Sequence, residues 1–385
     1  MYHNPTFWFA NVTSQGEAVK EITTPILNSM LLKSFDFKES GWTLSGLSPL
    51  GKSNLLVGRN STGKTRTLNA LRKTIAFMRN DLSFPGVNDF AAEFVFTDPQ
   101  NDAGEMKYVF QLKEGKVVKE SLVVDGKYII KRTKSEAMLF GAKINPPAEK
   151  LVVQARRDTA YTEIEALMVW AEGVVNISCA DIINLTVLLQ KSFYTPERFS
   201  DIVDKLTDED LKAVKSNARK LEYYITEMKT IKSSEMKFVQ IKERAVENRI
   251  MDVTLSNGML RVLYILSFLE YIKHNNKLSL LLIDDLGEGL DYRRSTCLGE
   301  MVFEYCKNNG LQLIASSNDA FLMDVVDVAD WHVLRRESNK VEVLNKAKEP
   351  ELFRKFRISG LSNFDLFSSD FIDKYFAKQK EEKNA

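Results

Sequence analysis

The 385-residue chain has few of the side chains that build disulfides or metal centres, only three cysteines and three histidines. Cys179, Cys297 and Cys306 are scattered through apolar or helical stretches, which argues against a disulfide framework or a zinc site. With only His3, His274 and His332, a histidine metal cluster is not expected either. No run approaches the ~20 consecutive apolar residues that a membrane-crossing helix needs. The first thirty residues mix Asn, Thr, Glu and Lys with aromatics and contain no apolar core of about 7–15 residues behind a basic start. Together these absences predict a soluble, cytoplasmic protein with no membrane partner. An excess of one charge is missing as well. Lys+Arg 53 against Asp+Glu 52 leaves a net charge of +1, so bulk charge selects neither nucleic acid nor membrane. There is no internal repeat and no apparent nuclease motif.

Against these absences stands one strong motif. Gly58-Arg59-Asn60-Ser61-Thr62-Gly63-Lys64-Thr65 has the Gly-x4-Gly-Lys-Thr spacing of a phosphate loop. The apolar run Asn54-Leu55-Leu56-Val57 before it reads as a buried strand, and Leu68, Leu71 and Ile75 after it read as one face of a helix. The glycines let backbone N–H groups turn inward on phosphates, and Lys64 brings a mobile positive charge to the β and γ oxygens. The Thr65 hydroxyl is placed to ligate Mg²⁺, and the helix N-terminus adds its partial positive charge. The chain is expected to bind a nucleoside triphosphate.

At this length, with 44% hydrophobic residues, one large or two medium domains can be buried. Met30 to Phe37 and Gly41 to Leu44 read as two short strands. Ala92 to Phe96, Tyr108 to Leu112, Glu120 to Val124 and Tyr128 to Lys131 alternate in the strand period, with turns at Asp102-Ala103-Gly104, Glu114-Gly115 and Asp125-Gly126, and predict an antiparallel meander. The run Leu151-Val152-Val153 reads as a strand ending at Gln154. Residues from about 160 to 231 read as mostly helical, broken near Tyr194-Thr195-Pro196. There Leu211, Val214, Ala218, Leu221, Ile225 and Met228 form a short heptad seam. A helix packing this stripe on its own domain is the expectation, with a partner-binding hairpin as the alternative. Lys212, Lys215, Arg219 and Lys220 alternate with Glu222, Glu227 and Glu235, which suggests a solvated face rather than a DNA contact. From Lys237 short strands return, followed by a helix from Gly258 to about Tyr271 and the buried strands Leu278–Ile283 and Leu311–Ala315. This alternation predicts a parallel sheet covered on both faces. The aromatic segment Phe356–Phe367 is expected to pack on the domain, with a docking surface as the alternative, and the charged tail Lys378–Ala385 is expected to fray.

A phosphate loop needs an acid for Mg²⁺ and a group that orients the attacking water. Leu280-Leu281-Leu282-Ile283-Asp284-Asp285 offers both, with Asp284 emerging at the end of a buried strand and Asp285 one residue on. Leu255-Ser256-Asn257-Gly258 opens a helix whose free N–H groups, beside the Ser256 cap, can face an anion.

Phosphate loop, Leu-Ser-x-Gly at a helix start, the strand into Asp284-Asp285 and the following Gly289-Leu290-Asp291 together resemble an ABC-type ATPase. The order and spacing are similar to the soluble branch of RecF, SMC proteins and OLD-like ATPases. Leu32-Lys33-Ser34-Phe35, the Asn54–Asn60 approach and the Glu120-Ser121-Leu122 meander resemble the OLD-like group, AAA family ATPases common in prokaryotic antiphage defence operons. The resemblance spans about residues 30–335, weakly over the helical insert.

It implies an α/β fold of the ABC-type P-loop kind, with an N-terminal antiparallel β meander, a central mixed or parallel sheet flanked by helices, and a helical insert. Its parts would be an N-terminal ATPase lobe over 1–155, the insert over 156–235, a C-terminal lobe over 236–345 and a terminal segment over 346–385. It further implies that Gly58, Asn60, Ser61, Thr62, Gly63, Lys64 and Thr65 hold ATP and that Asp284 joins Thr65 on Mg²⁺. Asp285 stands where the catalytic glutamate usually is, and Asn318 takes the switch-histidine place. Ser256 and Gly258 would meet the γ-phosphate held by another subunit, Asp291 would lie at the dimer seam, and Gln154 is a Q-loop candidate. The activity implied is slow ATP hydrolysis by a homodimer or higher oligomer that controls a separately encoded nuclease or toxin. Readings left open are a RecF- or SMC-like DNA-binding clamp and an ATP-binding scaffold with little hydrolysis. Two departures point to slow turnover. Aspartate at 285 is one methylene short, and a misplacement of about 1 Å can cost about 10²-fold. Asn318 can donate a hydrogen bond but cannot change charge near neutral pH. Glu288 is an alternative acid.

Overall fold

Strand-period alternation builds the first half of the chain, and a switch to helix–strand alternation builds the second. The computed structural model describes residues 30–81, 89–98, 101–158, 160–179, 182, 197–233, 236–274, 278–363, 365–368 and 370–384. The first half runs β1 (Leu32–Glu39), β2 (Trp42–Leu47), β3 (Ser53–Val57), α1 (Lys64–Met78), β4 (Phe90–Asp98), β5 (Asn101–Lys113), β6 (Lys116–Val124), β7 (Lys127–Arg132), β8 (Ala137–Leu139), β9 (Ala142–Ile144), α2 (Val152–Ala155) and α3 (Thr162–Glu172). The chain continues through β10 (Val174–Ser178), α4 (Phe199–Lys205), α5 (Asp208–Lys220), β11 (Ile225–Ser233), β12 (Met236–Glu243), β13 (Ile250–Met251), α6 (Asn257–Ile272) and β14 (Leu280–Asp284). It closes with α7 (Tyr292–Asn308), β15 (Gln312–Ser316), α8 (Ala320–Val325), β16 (Trp331–Glu337), β17 (Lys340–Leu344), α9 (Pro350–Ile358), α10 (Asp365–Ser368) and α11 (Phe371–Asn384).

Among the described residues, fourteen strands join one mixed sheet in the order β10-β14-β15-β3-β16-β17-β2-β1-β4-β5-β6-β7-β8-β9. β10, β14, β15, β3 and β16 run parallel, and β4 to β9 form an antiparallel meander. Parallel strands are buried on both sides, so their apolar runs are continuous and sort by parity. Leu55, Val57, Leu281, Ile283, Leu313 and Ala315 pack with α6 in one core. Leu56, Leu280, Leu282 and Ile314 pack with Leu68, Leu71 and Ile75 of α1 in the other. Helices α1 and α6 therefore cover opposite faces of the same sheet. No helix among the described residues is long and apolar enough to cross a membrane.

Several sequence expectations are corrected. The run Leu151–Val153 is not a strand. The buried Glu120 carboxylate accepts from Val152 N at 2.7 Å and Val153 N at 3.3 Å, capping a helical turn instead. Tyr108 Oη donates to the same carboxylate at 3.0 Å, and burial pushes Glu120 up to about 7 against these donors. Residues 160–231 are not uniformly helical, because β10 joins the main sheet and β11 pairs with β12. The heptad seam ends with α5. Glu222 adopts φ 62°, Tyr223 N donates to Ala218 O and Glu222 N to Arg219 O, a Schellman stop that sends Ile225 and Met228 into β11. Val214, Ala218, Leu221, Ile225 and Met228 are nonetheless buried in the domain's own core, while Lys212, Arg219 and Lys220 are exposed. Asp98 and Asn101 pair between β4 and β5, and Asp102–Gly104 belong to β5, not to a turn. Phe356 and Leu366 pack inward, and α11 extends the helical tail to Asn384 instead of fraying from Lys378. His3, the break at Tyr194–Pro196, Glu235, Phe364 and Ala385 lie outside the described residues.

Beneath the loop-bearing strand β3, His332 ties three strand ends together. Asn54 Nδ2 donates to Gly51 O and Leu313 O, which leaves its Oδ1 to accept from His332 Nε2 at 3.0 Å. Nδ1 then accepts from Asn345 Nδ2 at 3.3 Å, so a proton there would face another donor. Burial, with Lys348 adding to it, holds the imidazole down at about 4. A histidine whose folded value lies below its unfolded value stabilises the fold fully above the unfolded value of about 6.5 and loses that contribution as pH falls. Stability should therefore drop by up to about 1.4 kcal/mol per pH unit between about 6.5 and 4 on this account alone. Chemical denaturation of wild type and His332→Gln should converge as pH falls through this window. Parallel curves would remove His332 as the cause.

Candidate functional site

The site forms where β3, β14 and β15 end side by side. The register sets Leu56 beside Ser316 and Ile283 beside Ala315, which brings the phosphate loop, Asp284 and the residues after β15 to one edge of the sheet. Two glycines shape the loop. A Cβ on Gly58, at φ 153°, would lie 2.8 Å from both Leu334 O and Thr62 Oγ1. Gly63, at φ 106°, takes the left-handed N-cap position of α1 and leads the first-turn N–H groups into the loop. No acidic side chain lies in that first turn, as an anion site at a helix N-terminus requires. Asn60 and Ser61 are exposed, and Thr62 Oγ1 donates to Arg59 O at 2.8 Å. Lys64 is 5% exposed, and its Nζ crosses the loop to donate to Gly58 O at 2.6 Å and Arg59 O at 3.1 Å. Burial lowers the Lys64 ammonium, while Asp285 and Asp284 oppose the shift.

Asp284, the last residue of β14, is buried. Its Oδ1 accepts from Ser316 Oγ at 2.6 Å and from Thr65 Oγ1 at 3.2 Å. Ser316 Oγ in turn accepts from Asp285 N at 2.9 Å, so one hydroxyl on β15 fixes both acids. Burial raises the Asp284 carboxyl against these hydrogen bonds. Asp285 is half-buried at φ 57°, and burial, then Asp284 and Glu288, push it up to about 6. Glu288 instead points its carboxylate to Arg261 at 3.5 Å and is mostly exposed.

The acid pair fits a divalent cation. The buried Asp284 carboxylate is hydrogen-bonded only by hydroxyls in the contacts described above, and Thr65 offers a second hard oxygen beside it. Among the described residues no cluster of three or more His, Cys, Asp or Glu could hold an ion by itself. A Mg²⁺ here would thus draw its remaining ligands from phosphate and water.

Other sequence candidates lie elsewhere. Ser256 caps α6 by accepting from Met259 N at 3.3 Å and is exposed. Gly258 packs so closely on the segment after β14 that a Cβ would sit 3.0 Å from Leu290 Cδ2 and 3.2 Å from Gly289 O. Asp291 caps α7 through Arg294 N and pairs with the Arg294 guanidinium at 2.6 Å. Asn318 is exposed two residues beyond β15, and Asp319 caps α8. Gln154 is not brought to the loop. Its amide donates to Phe77 O and Met78 O at the far end of α1, about 20 Å of helix from Lys64. Sequence reasoning missed Ser316, whose only signal was a serine closing a largely apolar strand, and Arg336, whose guanidinium donates to Ser61 O at 3.3 Å.

No family model and no curated protein matches the chain. Solved structures do. An SMC head bound to the C-terminal winged-helix domain of ScpA is 14% identical with a TM-score of 0.50, covering 83% of this chain and 99% of that one. An SMC head with an extended coiled coil bound to the C-terminal domain of ScpA, from Pyrococcus furiosus, is 12% identical with a TM-score of 0.49, covering 85% and 100%. The SMC head domain from Thermotoga maritima is also 12% identical, with a TM-score of 0.43, covering 82% and 98%. At these identities it is the fold that is shared, and it is an α/β fold with a large mixed sheet flanked by helices, that of the SMC head.

Proposed function

We propose that the chain is an ATP-binding, slowly hydrolysing ABC-type ATPase that closes as a homodimer around nucleotide. One observation carries this reading. The phosphate loop and the Ser256–Gly258 helix start lie at the same end of one sheet but on opposite faces, because α1 packs in one core and α6 in the other. A nucleotide seated on Lys64 and Thr65 therefore leaves its γ-phosphate for the α6 N-terminus of a second copy. In this reading Lys64 neutralises the β and γ oxygens, the α1 N–H groups hold the phosphates, and Asp285 orients the attacking water. Mg²⁺ held by Thr65 and Asp284 supplies charge neutralisation when bound.

Chain mixing tests the arrangement. Lys64→Ala and Ser256→Arg should each be inactive alone, yet a one-to-one mixture should recover about a quarter of wild-type turnover, since half of the dimers regain one complete site. Phosphate release that stays at background in the mixture, with both variants folded, would sink the shared site.

The effector role rests on the OLD-like resemblance, which points to a separately encoded nuclease or toxin in antiphage defence. A protein partner is also supported by the similar SMC head, itself a complex with a winged-helix domain. Affinity purification with and without ATP and Mg²⁺ should recover that partner in a nucleotide-dependent way. The SMC-like fold favours a second reading, a DNA-binding clamp. It requires ATP-stimulated DNA binding that weakens steeply with salt, and no binding at low salt rejects it.

A further inference from the structure

Arg59, the second residue of the phosphate loop, is held from outside the loop by the C-terminal helix. Its guanidinium pairs with Asp370 and, at 3.4 Å, with Asp373. Asp370 leads into α11, accepting from Lys374 N at 2.9 Å, and sits at φ 55°. Asp373 also lies 3.9 Å from Arg335, whose guanidinium stacks over Phe376 at 5.0 Å. The helix is seated by Ile372, 8% exposed, and by Phe371 edge-on to Phe356 at 5.4 Å. Loop, β16 and the start of α11 line an open cleft of about 230 Å³ with Arg59, Thr62, Arg336 and the two aspartates in its wall.

This arrangement brings two carboxylates to a loop built to gather anions. A triphosphate on the loop and the carboxylates of α11 attract the same guanidinium and repel one another. The Arg59 and Asp370 side chains are 52% and 58% exposed, so their pair is weak enough to open and close. We infer that Asp370 and Asp373 compete with nucleotide phosphate for Arg59, so that docked α11 restrains nucleotide binding and bound nucleotide loosens α11. The inference rests on the loop being a triphosphate site. The coupling is reciprocal: whatever affinity α11 removes from nucleotide, nucleotide removes from α11 docking.

The test uses the full chain and AMP-PNP with Mg²⁺. Asp370→Asn combined with Asp373→Asn should tighten AMP-PNP binding about three- to tenfold, the range expected for two exposed charge contacts. In an Arg59→Ala background the same pair of substitutions should tighten binding far less, by no more than the direct repulsion between carboxylates and phosphate. Saturating AMP-PNP should also speed backbone hydrogen exchange over residues 371–376 in the wild type. Unchanged affinity in the aspartate variant, or equal tightening without Arg59, overturns the competition, as does slower exchange in α11 on binding. Lys64→Ala separates this from failure of the underlying reading. Wild-type binding that is insensitive to Lys64 would overturn the triphosphate site and the competition with it.

Discussion

Replacing Lys64 by alanine is expected to weaken ATP binding by about 10²-fold or more, the cost of removing one partner of a desolvated charge contact, and to leave the chain's oligomeric state unchanged by nucleotide. Lys64 is almost buried, and its ammonium already bridges the two carbonyls that open the loop. Burial disfavours its charge, which Asp284 at the end of β14 and Asp285 just beyond it only partly offset, so a polyanion in the loop would favour the charged form. Its loss removes the buried cation inside the loop and leaves the phosphates the backbone N–H groups and an Arg59 already paired with Asp370. Thermal unfolding should move little, since the same desolvation cost disappears with the side chain. Titration with ATP and Mg²⁺, paired with sedimentation at fixed protein concentration, reads both effects. A folded Lys64→Ala chain that binds ATP normally, or a dimer indifferent to nucleotide in the wild type, would count against the ABC-type reading.

How far the sequence announced this site depends on the range of the interactions involved. The loop, its strand and its helix were legible because each is local: glycines at φ values other residues avoid, the apolar Leu55–Val57 end of a short strand, and a helical stripe. The meander was legible for the same reason, as Phe90–Asp98 buries every second side chain. Contacts across the chain were not. The helical turn at Val152 is imposed by Glu120, 32 residues upstream, against a local strand preference. Gln154 is therefore spent on the end of α1 and not on a nucleotide. The stop after α5 uses Glu222 in a conformation where a glycine would have given warning. Ser316 matters only because the parallel register places it beside Asp284, and Arg59 meets its aspartate 311 residues away.

Asp285→Asn should leave ATP affinity intact and lower turnover by about 10²-fold, within the range for losing a positioned general base. The geometry separates the two adjacent acids. Asp284 is fixed by two hydroxyls and faces Thr65, the arrangement of a cation ligand, while Asp285 is turned away from the strand by its left-handed backbone and held through its main chain, its N–H donating to Ser316 Oγ and its carbonyl accepting from Glu288 N. Its carboxylate is thus the one left to meet water. Because amide and carboxylate have nearly the same shape, the substitution removes the base and preserves the packing, so the nucleotide-bound dimer should accumulate instead of turning over. Asp285→Glu supplies the missing methylene and should raise the rate above wild type. The pair of variants therefore brackets the native residue from both sides: one abolishes the base and the other extends its reach. Phosphate release under single-turnover conditions distinguishes them from binding effects. If Asp285→Asn hydrolyses ATP at the wild-type rate, the water-orienting group lies elsewhere, and Glu288→Gln, which removes only the carboxylate's ion pair with Arg261, becomes the next variant to measure.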